Sequence, residues 1–61
     1  PERAAFELVL KKLNLPAQAC LFIDDRIENI QGAKEVGMDA IQFKNAEELV
    51  KELSLRGINA S

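Results

Sequence analysis

Sixty-one residues, 48% of them hydrophobic, suffice for one small domain, and a chain this short buries only roughly 60% of its unfolded surface. Eight Lys and Arg against ten Asp and Glu give a net charge of −2, so there is no basic footprint for nucleic acid or an anionic membrane. There is no His, and the serines are Ser54 and Ser61, which excludes a Ser-His-Asp triad, a Cys-His pair and a His-ligated zinc. Gly32, Gly37 and Gly57 are isolated, so no glycine-rich phosphate loop is present. A lone Cys20 cannot form an internal disulfide and points to a reducing, cytoplasmic compartment. The longest apolar run, Ala19 to Ile23, falls far short of the ~20 residues that a spanning helix needs.

From Arg3 to Leu13 the residues Phe6, Val9, Leu10 and Leu13 recur at the spacing of an amphipathic helix, which Asn14, Leu15 and Pro16 end. Ala19-Cys20-Leu21-Phe22-Ile23 is a short continuous apolar run, the pattern of a parallel strand covered on both faces. Ile27, Ile30, Ala33 and Val36 then return to helical spacing, and Gly37 stands where a left-handed turn would close that helix. Ala40-Ile41-Gln42-Phe43 reads as a second strand. Asn45, with Glu48 three residues on, can cap a third helix from about Ala46 to Arg56, whose residues Ala46, Leu49, Val50 and Leu53 would face inward. The order helix, strand, helix, strand, helix predicts an α/β unit with parallel strands. Two strands are fewer than an independent sheet usually contains, so this unit should want neighbours.

Asp24 and Asp25 fall where the first strand gives way to a helix, and open parallel sheets bind ligands beyond the carboxyl ends of their strands. Adjacent carboxylates repel, so keeping both ionised requires a cation, hydrogen-bond donors or a helix N-terminus. Mg²⁺, a hard cation that takes one or two carboxylates together with waters and phosphate oxygens, fits such a pair. The competing structural role is an Asp25-x-x-Glu28 capping box at the start of the helix.

Leu21-Phe22-Ile23-Asp24-Asp25-Arg26-Ile27-Glu28-Asn29-Ile30, with Gly32-Ala33-Lys34 and Val36-Gly37-Met38 behind it, resembles the last conserved motif of haloacid dehalogenase-like (HAD) hydrolases. Upstream, Pro1 and Phe6 resemble the Pro-x-x-x-x-Phe segment that follows the active-site lysine in that family. The likeness runs from Pro1 to about Leu53. It implies a partial Rossmann-like, HAD-type unit in which residues 1–61 form, without internal boundary, the C-terminal fragment of a hydrolase core domain. It also implies that Asp25 contacts Mg²⁺ directly, that Asp24 acts through metal-bound water, and that Asn29 hydrogen-bonds around the metal and the nucleophile loop. Arg26 would be exposed.

The reaction implied is hydrolysis of a small phosphorylated metabolite through an aspartyl-phosphate, with a lysine steadying the phosphate. Paired Asp residues favour the Mg²⁺-dependent phosphatase branch over the metal-free dehalogenase branch. The family's Asp-x-Asp nucleophile motif and its Ser or Thr phosphate contact are not in this sequence, and its lysine would immediately precede Pro1. The chain alone is therefore expected to be inactive, and the cap domain that selects substrate would lie upstream.

Two other readings use the same residues. Receiver domains of response regulators also place two Mg²⁺-binding Asp residues after an apolar strand, although they normally start with that strand, without a preceding helix such as Arg3 to Leu13. A non-catalytic interaction module, self-associating through an unpaired sheet edge, is the third. Among smaller signals, Cys20, Met38 and Phe43 read as packing residues, and Lys34 as part of a solvated helix face. The Glu47–Lys51 pair has the favourable i, i+4 order, and Gly57 to Ser61 reads as a frayed end.

Overall fold

The computed structural model describes residues 2–59. Helix α1 (Glu2–Leu13) leads through a 3₁₀ turn (Ala17–Ala19) into strand β1 (Leu21–Asp24). Helix α2 (Ile27–Glu35), strand β2 (Asp39–Gln42) and helix α3 (Ala46–Leu55) follow. This is the expected order of an α/β unit. Pro1, half of the upstream Pro-x-x-x-x-Phe match, lies outside the described residues, as do Ala60 and Ser61.

The three helices end alike. Asn14, Gly37 and Gly57 each take a positive φ, of 55°, 94° and 77°. The next residue's N–H then reaches back to a carbonyl five residues earlier: Leu15 to Leu10 at 3.3 Å, Met38 to Ala33 at 3.1 Å and Ile58 to Leu53 at 2.9 Å. Such closures satisfy carbonyls that a helix end leaves without partners. The segment after Gly57 is thus tied down through Ile58, and the expected fraying does not begin at Gly57. At the other end of α3, Asn45 Oδ1 accepts the Glu48 N–H at 2.8 Å, the cap foreseen from the sequence.

β1 and β2 pair in parallel, with Leu21, Phe22, Ile23 and Asp24 opposite Asp39, Ala40, Ile41 and Gln42. Side chains alternate along strands, so Phe22, Asp24, Ala40 and Gln42 share one face and Leu21, Ile23, Asp39 and Ile41 the other. Ile30 and Ala33 of α2 are buried with Ala40, and Phe6, Phe22 and Met38 pack against them. The rings of Phe6 and Phe22 meet edge to face at 4.8 Å, a favoured aromatic geometry.

Several expectations about burial change. The strand begins at Leu21 because Ala19 belongs to the 3₁₀ turn. β1 is covered on one face rather than two: Ile23 is 42% exposed whereas its neighbour Ile41 is 4% exposed. The physical reason is that α1 and α2 pack on the first face, while on the second the described residues offer only α3, whose Arg56 grips Asp39 of β2. For the same lack of cover Val9 and Leu13 of α1 stay exposed beside half-buried Phe6 and Leu10, and Ala46 and Val50 of α3 are exposed. Phe43 is also exposed rather than packed, while Met38 does join the core. Lys51 pairs with Glu48 at 3.5 Å instead of with Glu47.

Gly37 carries both a left-handed backbone and a close neighbour, since a Cβ added there would lie 3.4 Å from the Ala17 Cβ. Gly57 has the backbone constraint with open space around it. Gly37→Ala is therefore expected to cost about 1–2 kcal/mol and Gly57→Ala no more than that. Chemical denaturation of the two variants checks the order, and a Gly57→Ala loss larger than that of Gly37→Ala would contradict it.

Candidate metal centre

Asp24 is the last residue of β1, and its carbonyl accepts the Phe43 N–H at 2.7 Å, beyond the last paired residue of β2. Parallel pairing thus ends where the acidic pair begins. The Asp24 carboxylate receives Asn29 Nδ2 at 2.6 Å, a donor that the first turn of the short α2 delivers. That hydrogen bond is the main reason that the Asp24 carboxyl lies below its ordinary value of 3.8. Partial burial opposes the shift, while the backbone N–H groups of Asp25 and Arg26 and the Arg26 charge reinforce it.

Asp25 follows outside the strand with an exposed side chain, and among the described residues its carboxylate enters no ion pair. Its backbone carbonyl accepts Gln42 Nε2 at 3.2 Å. The Asp25-x-x-Glu28 capping box does not form: Arg26 is the N-cap residue of α2, in an extended conformation, and makes no side-chain cap bond. Glu28 instead lies 3.7 Å from the Arg26 guanidinium, both exposed. The Asp25 carboxylate is thereby left to face outward.

The donor set is two carboxylates at a strand end, hard oxygen ligands of the kind that Mg²⁺ takes one or two at a time, the rest of its shell being water and phosphate oxygen. Among the described residues no group of three or more His, Cys, Asp or Glu side chains gathers. The chemistry of the pair therefore fits a hard divalent cation whose other ligands come from elsewhere.

Sequence reasoning did not find Gln42, whose partner is 17 residues away, nor a second polar cluster at the opposite end of β2. There Arg56 Nη2 donates to Asp39 Oδ1 at 3.1 Å and Nε donates to Oδ2, while Nη1 reaches Glu52 Oε1 at 2.9 Å. The guanidinium holds Asp39 below the usual carboxylate range, and the two carboxylates raise Arg56 further above its already high value. Between α2 and α3, along the outer edge of β2, runs an open groove of about 300 Å³ lined by Ile27, Ile30, Ile41, Gln42 and Glu48 among others. Lys34 is exposed on its rim. Cys20 is half-buried with Sγ 3.7 Å from the Pro16 carbonyl.

A family model described as HAD-hydrolase-like matches residues 1–58. The chain belongs to that family. The chain is 41% identical over its whole length to flavin mononucleotide hydrolase 1 of Arabidopsis thaliana, covering 25% of that protein. It is 44% identical over 41 residues, 67% of this chain, to an enolase-phosphatase of Aquifex aeolicus, covering 18% of it. A drimenol cyclase of Aspergillus calidoustus is 32% identical over 88% of this chain and 10% of that protein. The crystal structure of an uncharacterized protein from Corynebacterium glutamicum superposes on the whole chain with a TM-score of 0.78 and 31% identity, covering 45% of that structure. The chain thus spans a quarter or less of each of these curated relatives. Membership of the HAD-hydrolase-like family takes the place of the receiver-domain reading, and α1, the helix that receivers lack before their first strand, is present. Among the described residues no helix is long and apolar enough to cross a membrane.

The Asp24–Asn29 bond has a direct test. Asp24 titrates below its unfolded value, so its stabilising contribution is complete above 3.8 and disappears as pH falls through the lower folded value. Asn29→Ala should move the Asp24 midpoint, followed by carboxyl-carbon NMR, upward toward 3.8, and the stability gap between variant and parent should close in strong acid. An unmoved midpoint would remove Asn29 from the account.

Proposed function

We propose that this segment supplies the magnesium end of the active site of a phosphatase-type HAD hydrolase that acts on a small phosphorylated metabolite through an aspartyl-phosphate. The observation that carries the reading is the division of labour at the end of β1, where Asp24 is fixed by Asn29 while Asp25 is left exposed and, among the described residues, without an ion partner. In this reading Asp25 contacts Mg²⁺ directly, Asp24 acts through metal-bound water, and Asn29 keeps the Asp24 carboxylate ionised and oriented. When bound, Mg²⁺ supplies neutralising charge for the phosphate. The aspartate nucleophile, the hydroxyl that contacts phosphate and the steadying lysine belong to parts of the hydrolase outside these residues.

The names of two relatives support a phosphorylated small-molecule substrate, one a flavin mononucleotide hydrolase and the other an enolase-phosphatase. The drimenol cyclase is named for a different reaction, which supports a reading in which substrate choice lies outside this segment. The single cysteine supports a cytoplasmic setting.

The same reading assigns the open surfaces. Exposed Ile23 on β1, Leu8 and Val9 on α1, and the unpaired strand edges would be covered by the rest of the core domain. The isolated 61-residue chain is therefore expected to be inactive and to aggregate as its concentration rises in sedimentation. A stable, well-defined dimer would favour the non-catalytic interaction module instead.

In the full-length protein, Asp25→Ala is expected to abolish Mg²⁺-dependent phosphatase turnover, and Asp24→Ala to lower it by roughly 10–100-fold, as loss of groups that orient metal ligands does. Unchanged turnover in the Asp25 variant would refute the metal assignment.

A further inference from the structure

Opposite Asp24 in the strand register stands Gln42, the last residue of β2. Its neighbours in the strand, Ala40 and Ile41, are buried and apolar, but Gln42 is half-buried and sends its amide across to the turn that follows β1. The Gln42 Nε2 to Asp25 carbonyl distance is 3.2 Å. A carbonyl can only accept, so chemistry decides which end of the amide points at the turn.

The carbonyl that Gln42 holds is one end of a planar peptide unit. The other end of that unit is the Arg26 N–H, which lies close enough to the Asp24 carboxylate to favour its ionised form. Pinning the carbonyl therefore aims the N–H, because the plane cannot twist between them. The same peptide leaves the Cα of Asp25, whose side chain is exposed. A single hydrogen bond from β2 thus constrains the two residues of the acidic pair at once, and Phe43 N–H to the Asp24 carbonyl fixes the neighbouring peptide from the same strand end.

From this geometry we infer that Gln42 is a positioning residue for the acidic pair, holding the Asp25–Arg26 peptide so that the Asp24 and Asp25 carboxylates are presented together to a divalent cation. The inference rests on the metal reading of the pair for its consequence, and on the hydrogen bond alone for its cause. Gln42 touches neither substrate nor cation. It acts by removing a rotation that the turn would otherwise have to lose when the cation binds, which is how groups behind metal ligands raise affinity.

The test uses Gln42→Met in the full-length protein, a variant of similar length without the donor, with two readouts. In metal-free protein, hydrogen exchange at the Arg26 amide should quicken several-fold while the amides of α2 beyond its first turn keep their protection. In calorimetry with magnesium chloride, the Mg²⁺ dissociation constant should rise roughly tenfold, the lower end of what loss of such supporting groups costs, while turnover at saturating Mg²⁺ stays near that of the parent. Unchanged Arg26 exchange overturns the inference at its cause. A uniform quickening of exchange across the whole domain also overturns it, because Gln42 would then merely support the fold. Asp25→Asn is run in parallel: if that variant binds Mg²⁺ as tightly as the parent, the metal reading fails, and Arg26 exchange in Gln42→Met still judges the hydrogen bond by itself.

Discussion

A parallel pair of strands cannot be closed by a tight turn, so β1 and β2 meet only through a crossover, and the rest of the structure depends on the fit of that crossover. Nine helical residues rise about 13 Å, close to the roughly 13 Å that four extended residues span. The chain that leaves β1 at Asp24 is therefore carried back by α2 to the level where β1 began, and Leu21 finds Asp39 opposite it. Buried Gly32 and Ala33 let the helix lie close to the sheet, and Gly37 makes the reversal into β2. A larger residue at Ala33, which is wholly buried, would push the helix off Ala40 and disturb the register along with the packing.

The crossover also decides where chemistry can occur. It places the carboxyl ends of both strands on the same side, so Asp24 and Gln42 become neighbours though 18 positions apart in the chain. It brings Asn29, in the first turn of α2, over the residue that ended β1. Two adjacent carboxylates would otherwise oppose each other. Here one receives the Asn29 amide, which favours its charged form, and the other is left in solvent, so the two carboxylates sit in different surroundings. A strand end built this way has spare negative charge directed outward, which is what a hard cation with incomplete coordination requires.

Much of this was legible in the sequence because periodicity reports which face a residue occupies. The helical spacing through Ile30 and Ala33 and the apolar run ending at Ile23 placed α2 and β1, and Asn45 marked the start of α3 by its cap. What periodicity does not report is which residue lies across from which, so the partners 17 positions apart, Gln42 with Asp25 and Arg56 with Asp39, were invisible. It also overstates burial. The stripe on α1 promises cover for Val9 and Leu13 that the described residues do not supply, and an apolar run such as Leu21 to Ile23 reads the same whether one face or two are covered. Asp25 was ambiguous because a helix cap and a metal ligand have the same composition, and only the backbone, which makes Arg26 the N-cap, separates them.

The two ends of β2 are held by different chemistry, and the difference follows from where each lies. At its start, Arg56 clamps Asp39 with two parallel hydrogen bonds and reaches Glu52 as well. Arginine's planar fork makes that arrangement possible where lysine's single ammonium would not. This clamp adds to a thin apolar contact, since among the described residues α3 has Leu49 and Leu53 half-buried and none fully buried, and because its members are half in water it is worth far less than its geometry suggests. At the other end a strong ionic clamp would compete with the acidic pair for charge: an arginine in place of Gln42 would neutralise the very carboxylates that a cation needs free. A neutral amide bonded to a backbone carbonyl fixes the turn without spending its charge, so the weaker interaction is the one compatible with a site at that end of the strand.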